Sequence, residues 1–335
     1  MARLTLPHPL SAQRVSSHPH SPRVGIGEMI GLFAPIIVLL LLMLVFTILN
    51  PRFLSPLNLI NILRQSSVLM VVALGATFII IMGSIDLSMS SIVTLCGLVG
   101  AMFIRDHGEW AVLLVLLIGI LCGLLNGILF AYAKLPSFLV TLGTLFAFNG
   151  LALFFSNGQP VEVNAGLLSN VFTGDSFGFF PNIVLWAAAI LVLSGFVASR
   201  TKFGRLMYAI GGGEKVARLS GVPVERYKVY AFLVSGLLAA FGGMLLMFRI
   251  AAGTPDMGSS FLLDSIAAVV MGGTALTGGI GGPYRTLVGV LVITILSNGM
   301  NIANIHPYLQ IFIRGVVVIA AVALTIDRSK IALVK

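Results

Sequence analysis

Apolar runs of about twenty residues, parted by short polar breaks, make up most of this chain. The first lies at 30–49. Others follow at 62–82, 86–104, 110–133, 136–156, 182–199, 229–250, 263–277, 285–303 and 308–326. A helix of about 20 apolar residues crosses the hydrocarbon core of a bilayer. The pattern therefore predicts an all-α polytopic membrane protein with about ten transmembrane helices. The eighth run is the shortest and the richest in glycine. The first is too long for the apolar region of a signal peptide and has no A-x-A cleavage site, so it reads as a retained span.

One cationic stretch interrupts this pattern. Residues 200–228, RTKFGRLMYAIGGGEKVARLSGVPVERYK, hold seven of the 20 Lys and Arg residues. Within it a short helix is predicted. Gly211 to Gly213 break what precedes, Glu214 sits in a first turn, and Gly221 and Pro223 end it. Isolated helices below about 12–15 residues are marginal in water. Either the rest of the protein or a partner must hold this one. A basic loop of this kind fixes membrane orientation, and its helix also suits docking to a cytoplasmic subunit.

Composition agrees with the membrane reading. The chain is 58% hydrophobic and 9% charged, against about 25% charged in soluble domains. The net charge of +9 lies between apolar spans rather than on one face, so it is no nucleic-acid signal. With the N-terminus inside, ten spans return the C-terminus inside. Fifteen of the Lys and Arg residues then lie on the inside: Arg3, Arg14, Arg23, Lys134, the seven of the loop, Arg285, Arg328, Lys330 and Lys335. Five lie outside or nearly so: Arg52, Arg64, Arg105, Arg249 and Arg314. That asymmetry fits the positive-inside rule. Residues 1–28 read as a polar cytoplasmic tail and 29–330 as one membrane domain. His8, His18 and His20 sit in that tail, with no fold to hold a metal geometry. Cys96 and Cys122 fall in apolar runs and read as small buried side chains, not a disulfide or a metal pair.

The chain also reads as internally repeated. Residues 121–145 and 287–313 share an Asn-Gly pair (126–127 and 298–299) and a later proline, Pro136 or Pro307. Upstream, IIIMGSIDLSMSS (79–91) and AVVMGGTALTGG (268–279) both break an apolar run with glycine and hydroxyl residues. Spans two to five and seven to ten are then two copies offset by five. An odd offset inverts the second copy, an arrangement found in transporters whose pathway lies at broken helices between repeats.

Asp86 follows Gly83 and precedes Ser88 between two apolar runs. A membrane carboxylate is costly, so it is functional or sits at an interface. The preferred reading is a cap on the helix that follows. Asp264 reads as its counterpart at the start of LLDSIAAVVMGGTALTGGIGG (262–282). That segment holds six glycines between Gly272 and Gly282, which permit close backbone approach or sharp bends. The pathway and broken-helix candidates are Asp86, Ser88, Asp264, Gly272, Gly273 and Asn298. No G-x-x-x-x-G-K-[ST] phosphate loop occurs, so no ATPase is expected in the chain. His107 and His306 stand isolated, and no catalytic set, metal site or cofactor site is expected.

Five motifs in order resemble one family. They are Gly75 to Ser91 (GATFIIIMGSIDLSMSS), LPSFLVTLGTLF (135–146), residues 203–228, LLDSIAAVVMGGTALTGG (262–279) and SNGMNI (297–302). Together they resemble the permease subunits of bacterial ABC sugar importers of the ribose/xylose/galactose type, over about residues 35–326. Permeases for autoinducers, nucleosides and branched-chain amino acids are more distant relatives. Ser84, Ser90 and Gly213 stand where that family commonly has Gly, Gly and Asn.

The resemblance implies a permease domain in a bacterial inner membrane that translocates a monosaccharide by alternating access. It implies partners: ATP-binding cassette subunits that hydrolyse ATP, a second permease subunit, identical or not, and a periplasmic sugar-binding protein. It gives the loop at 200–228 a coupling role, with Glu214, Ala217, Arg218 and Gly221 as the coupling residues. Proline at 214 or 221 is expected to break that helix. It also implies that residues 157–181 and 251–262 help dock the binding protein. Another small polar solute, or ion-coupled secondary transport, is the alternative.

Overall fold

The computed structural model describes residues 26–325, apart from 164–165 and 177–179. Most of the expected tail at 1–28, with its three histidines, lies outside the described residues, as do Arg328, Lys330 and Lys335. Thirteen α-helices are described. They are α1 (Ile26–Leu49), α2 (Pro56–Ile81), α3 (Met89–His107), α4 (Trp110–Ala131), α5 (Ser137–Ser156), α6 (Leu167–Thr173) and α7 (Asn182–Arg200). Then come α8 (Lys202–Gly212), α9 (Glu214–Leu219), α10 (Val224–Ile250), α11 (Phe261–Met271), α12 (Pro283–Ile302) and α13 (Pro307–Thr325). Each of the ten apolar runs coincides with one helix, and α6, α8 and α9 lie between runs. Among the described residues six helices, α2, α4, α5, α7, α10 and α12, are long and apolar enough to cross a membrane.

Three elements differ from their sequence reading. α2 begins at Pro56 rather than near 62, because Ser55 accepts a hydrogen bond from the Asn58 N–H and proline suits the first helical position. Asn58 and Asn61 are thus part of the helix rather than of the loop before it, on the turns that lead to Arg64 and Gln65. α8 is a helix that the cationic composition concealed. Its Gly204, Met207 and Ile210 are buried, and this spacing of three lays one stripe against the core. The eighth run is helical only over the 11 residues of α11. At 1.5 Å per residue that is about 16 Å, half of the bilayer core.

α10 lies at the centre and packs most extensively on α4, then on α3 and α2. Glycine sets the α4–α10 distance. Gly119, Gly123 and Gly127 recur every fourth residue on α4. A Cβ on Gly123 would stand 2.2 Å from the Phe232 carbonyl oxygen, and one on Gly236 would stand 2.2 Å from that of Gly119. Only small residues allow backbones this close. Val68, Leu74, Ile92, Val93, Ala240 and Leu245 fill the core around the crossing. Cys96 and Cys122 are buried free thiols. Elsewhere α4, α5 and α7 expose Leu117, Phe146, Val192 and Phe196, a surface that suits lipid or a neighbouring apolar subunit.

Two segments between the long helices are not helical. Residues 82–88 join α2 to α3. Residues 251–260 leave α10, where Ala252–Gly253 pairs antiparallel with Val161–Glu162, and then follow α3 towards its first turn. Met257 lies over Gly97, and the Gly258 N–H donates to Thr94 Oγ1 at 3.0 Å. The segment thus meets the other expected docking loop at 161–162, and its Ala251, Asp256, Ser259 and Ser260 are exposed. Gly253 and Gly258 are buried, because glycines let the strand lie flush on α3.

The two upstream motifs also lose their correspondence. The break at 82–88 precedes α3, whereas the break at 272–282 follows α11.

Candidate functional site

The short helix α9 is held by the rest of the molecule. Its Ala217 is buried against Ile79, Met82, Met207, Val224 and Phe232. Four charged side chains then tie α9 to α10. Glu214 accepts from Lys228 and from Arg218, each at 2.9 Å, and Arg218 also pairs with Glu225. Lys228 lies 4.4 Å above the Phe130 ring of α4, a cation–π contact.

Two of the expected coupling residues take different places. Ala217 points inward and anchors α9. Glu214 occupies the first helical position, where proline is tolerated. Proline there would cost the ion pairs rather than the helix. Gly221 has φ +81°, which proline cannot adopt. What α9 presents outward is Val216 and Leu219, 69% and 80% exposed. Sequence reasoning passed over both, although their spacing of three inside a charged loop marks an apolar stripe.

Burial opposes the Glu214 carboxylate, but hydrogen bonds and charge from Lys228 and Arg218 outweigh it and hold its pKa below the ordinary carboxylate value. Its contribution to stability is therefore complete above about pH 4.5 and is lost as pH falls through the lower folded value. Amide exchange over 214–222, corrected for intrinsic rate, should be faster at about pH 3.5 than at about pH 7. Glu214→Gln should show the fast exchange at both. Equal protection at the two pH values would overturn this role.

Immediately above α9 three backbones meet. The Gly279 N–H donates to the Ile81 carbonyl at 2.8 Å. A Cβ on Gly211 would stand 1.9 Å from that oxygen and 2.5 Å from that nitrogen. One on Gly278 would stand 2.8 Å from the Gly83 nitrogen and 2.9 Å from the Gly211 Cα. The end of α8, the break after α2 and the break after α11 are thereby one glycine-lined joint. Gly83, Gly278 and Gly279 have φ of +80°, +86° and +76°, a region open mainly to glycine.

Beyond the joint lies Asp86, 2% exposed. Its Oδ1 accepts from the Ser88 N–H at 2.9 Å and from Ser88 Oγ at 2.6 Å, and its Oδ2 accepts from Ser235 Oγ at 2.8 Å. Asn126 of α4 donates to Ser88 Oγ at 2.7 Å. Asp86 thus meets a backbone N–H beside the start of α3 and also links the break to α10 and α4. It sits inside the helix packing rather than at an interface.

Asp264 is not a cap. It lies in the first turn of α11, whose flanking residue is Ser260, and its carboxylate faces Arg314 of α13 at 3.5 Å. Arg314 is seven residues into α13. Gly272 lets the α11–α12 turn close, since a Cβ there would meet the Arg285 carbonyl at 2.3 Å, and Gly273 has φ +85°.

Asn298 lies elsewhere. It exchanges reciprocal amide hydrogen bonds with Asn58, at 2.9 and 3.0 Å. The pair lines a cavity of about 480 Å³ near the N-terminal end of α2. From Gln65 to the joint at Ile81 is roughly 24 Å along that helix.

The expected site residues therefore fall into three groups. Glu214, Ala217, Arg218 and Gly221 belong to α9 and its exit. Asp86, Ser88, Gly272 and Gly273 belong to the breaks. Asp264 and Asn298 join neither.

Comparison with known proteins bears on this arrangement. A family model described as the branched-chain amino acid transport system / permease component matches residues 58–322. The ribose import permease protein RbsC of Bacillus subtilis is 39% identical over 314 residues, covering 92% of this chain and 95% of that protein. RbsC of Escherichia coli K12 is 33% identical over 331 residues, covering 96% and 100%. The galactose/methyl galactoside import permease protein MglC of Haemophilus influenzae is 34% identical, covering 88% and 93%. No solved structure matches the chain. A polytopic helical bundle matched over nearly its whole length by such proteins belongs to the permease-component family of these transport systems.

Proposed function

We propose that the chain is the transmembrane permease subunit of an ATP-driven importer for a monosaccharide. The substrate class rests on relatives named for ribose, galactose and xylose import. One structural observation carries the mechanism. α9 is clamped to the membrane core on one face and offers Val216 and Leu219 on the other, and α8 leads from it into the joint between the two broken segments. A partner that grips α9 can then move the breaks through rigid contacts.

In this reading the partner is an ATP-binding subunit, and hydrolysis belongs to it. A periplasmic binding protein delivers the sugar, and a second permease subunit lies across an exposed helical face. The protein spans a bacterial inner membrane with α9 and both termini in the cytoplasm. The inverted repeat of about ten spans is part of the same reading. It is supported by Asn126 and Asn298, both buried before a glycine, and by Pro136 and Pro307, which each open the next helix.

Uptake of a labelled monosaccharide panel tests the function. ATP depletion should abolish it and collapse of ion gradients should not. Uptake that follows the gradient instead would overturn the reading. Gly221→Pro tests the docking. It should prevent co-purification of the ATP-binding subunit while the chain still inserts, and normal co-purification would exclude α9 as the contact.

A further inference from the structure

The cavity near the N-terminal end of α2 has a chemistry of its own. Its walls come from α2, α6, α7, α10 and α12, and it lies at the opposite end of α2 from the joint. Five amides line it: Asn58, Asn61, Gln65, Asn298 and Asn301. Two guanidinium groups join them, Arg64 and Arg249. Arg64 pairs with Asp175 at 2.8 Å, but its Nε is buried without a hydrogen-bond partner among the described residues. Arg249 makes no ion pair or side-chain hydrogen bond among them. The cavity is therefore polar and rich in unused donors, and no carboxylate lines it.

Asn58 and Asn298 satisfy each other and Asn301 accepts from Gln310, whereas Asn61 and Gln65 make no side-chain hydrogen bond among the described residues and each presents a donor and an acceptor side by side. A hydroxyl group also both donates and accepts, so amides at several points of one concave wall match a molecule with hydroxyls around a ring. A guanidinium fork adds parallel donors for two neighbouring hydroxyl oxygens. The volume falls within the roughly 300–1,000 Å³ typical of small-molecule sites. A cation is disfavoured by the two arginines.

We infer that this cavity binds a neutral polyhydroxylated molecule the size of a monosaccharide, within one permease subunit. The inference rests on the proposed sugar import and assigns it a place. Arg249 is the donor left free for the solute, and the Asn58–Asn298 pair is the buried floor.

Cysteine protection in the purified full-length chain tests it. Asn61 is exposed, and Cys96 and Cys122 are buried, so a bulky maleimide should report on Asn61→Cys alone. D-ribose, D-xylose or D-galactose at saturation should slow modification at least about fivefold, and leucine should not. Arg249→Gln, combined with Asn61→Cys, should raise the half-protecting concentration about tenfold, as expected for one lost charge-assisted hydrogen bond. Three results would overturn the site: no protection by any of the sugars, stronger protection by ribose 5-phosphate than by ribose, or protection only by added binding protein. The readout needs no ATP-binding subunit. A chain that imports sugar without protection loses this site and keeps its proposed function. A chain whose sugar protection survives while ATP-dependent uptake is absent loses the function and keeps the site.

Discussion

Gly211→Ala is expected to reduce sugar uptake at least about tenfold, whereas Gly212→Ala, one residue away, should leave it within about twofold of the parent. The added methyl at 211 falls on the hydrogen bond that joins Gly279 to Ile81, 1.9 Å from the oxygen and 2.5 Å from the nitrogen. Both atoms are backbone, so no rotamer change makes room. Overpacking of this kind costs about 1–3 kcal/mol and is relieved only by parting the segments. A methyl at 212 meets nothing within 4 Å, and alanine there favours the helix by about 0.5–1 kcal/mol.

Neither change touches Val216 or Leu219, so both variants should bind the ATP-binding subunit normally. The defect in Gly211→Ala should be one of transmission. Normal uptake by that variant would remove the joint from the mechanism. Failure of both variants to bind the subunit would show instead that α8 serves the docking itself.

Asp264→Asn is expected to destabilise the protein by about 3 kcal/mol, because it strands the Arg314 guanidinium between helices. The two side chains are only 18% and 28% exposed. A guanidinium stays charged at any ordinary pH, whereas a carboxylate left alone can take up a proton. Arg314→Gln should therefore be the milder single change. The double variant, Asp264→Asn with Arg314→Gln, should recover most of the loss, since it leaves no charge unmatched. Thermal unfolding of the three variants in detergent checks this. Additive losses in the double variant would mean that the two residues do not act as a pair.

Much of the architecture could be read from the chain. A run of about twenty apolar residues has few options in a bilayer, so each run coincides with a helix. The start and stop signals of α9 were equally readable, because Gly213, Gly221 and Pro223 act locally. What could not be read had non-local causes. The 251–260 segment rests on α3 through Gly253 and Gly258, and Gly258 meets Thr94, 164 residues away. Asp264 looked like a cap because a cap needs only sequence neighbours, while its partner Arg314 is 50 residues away. Ala217 matched a coupling motif by spacing, yet its small side chain serves to bring α9 close to the core.

The sequence by itself determined the helical membrane class, the position of nearly every helix and the family, because these depend on hydropathy and on motifs contiguous in the chain. Tertiary structure decided the rest. Gly83, Gly211, Gly278 and Gly279 are ordinary glycines until folding sets three backbones in contact. Asn58 and Asn298, 240 residues apart, become one wall only when α2 and α12 pack. Glycine and amide side chains carry no signal of their partners in their local sequence, so their roles exist only where the fold brings distant segments to one place.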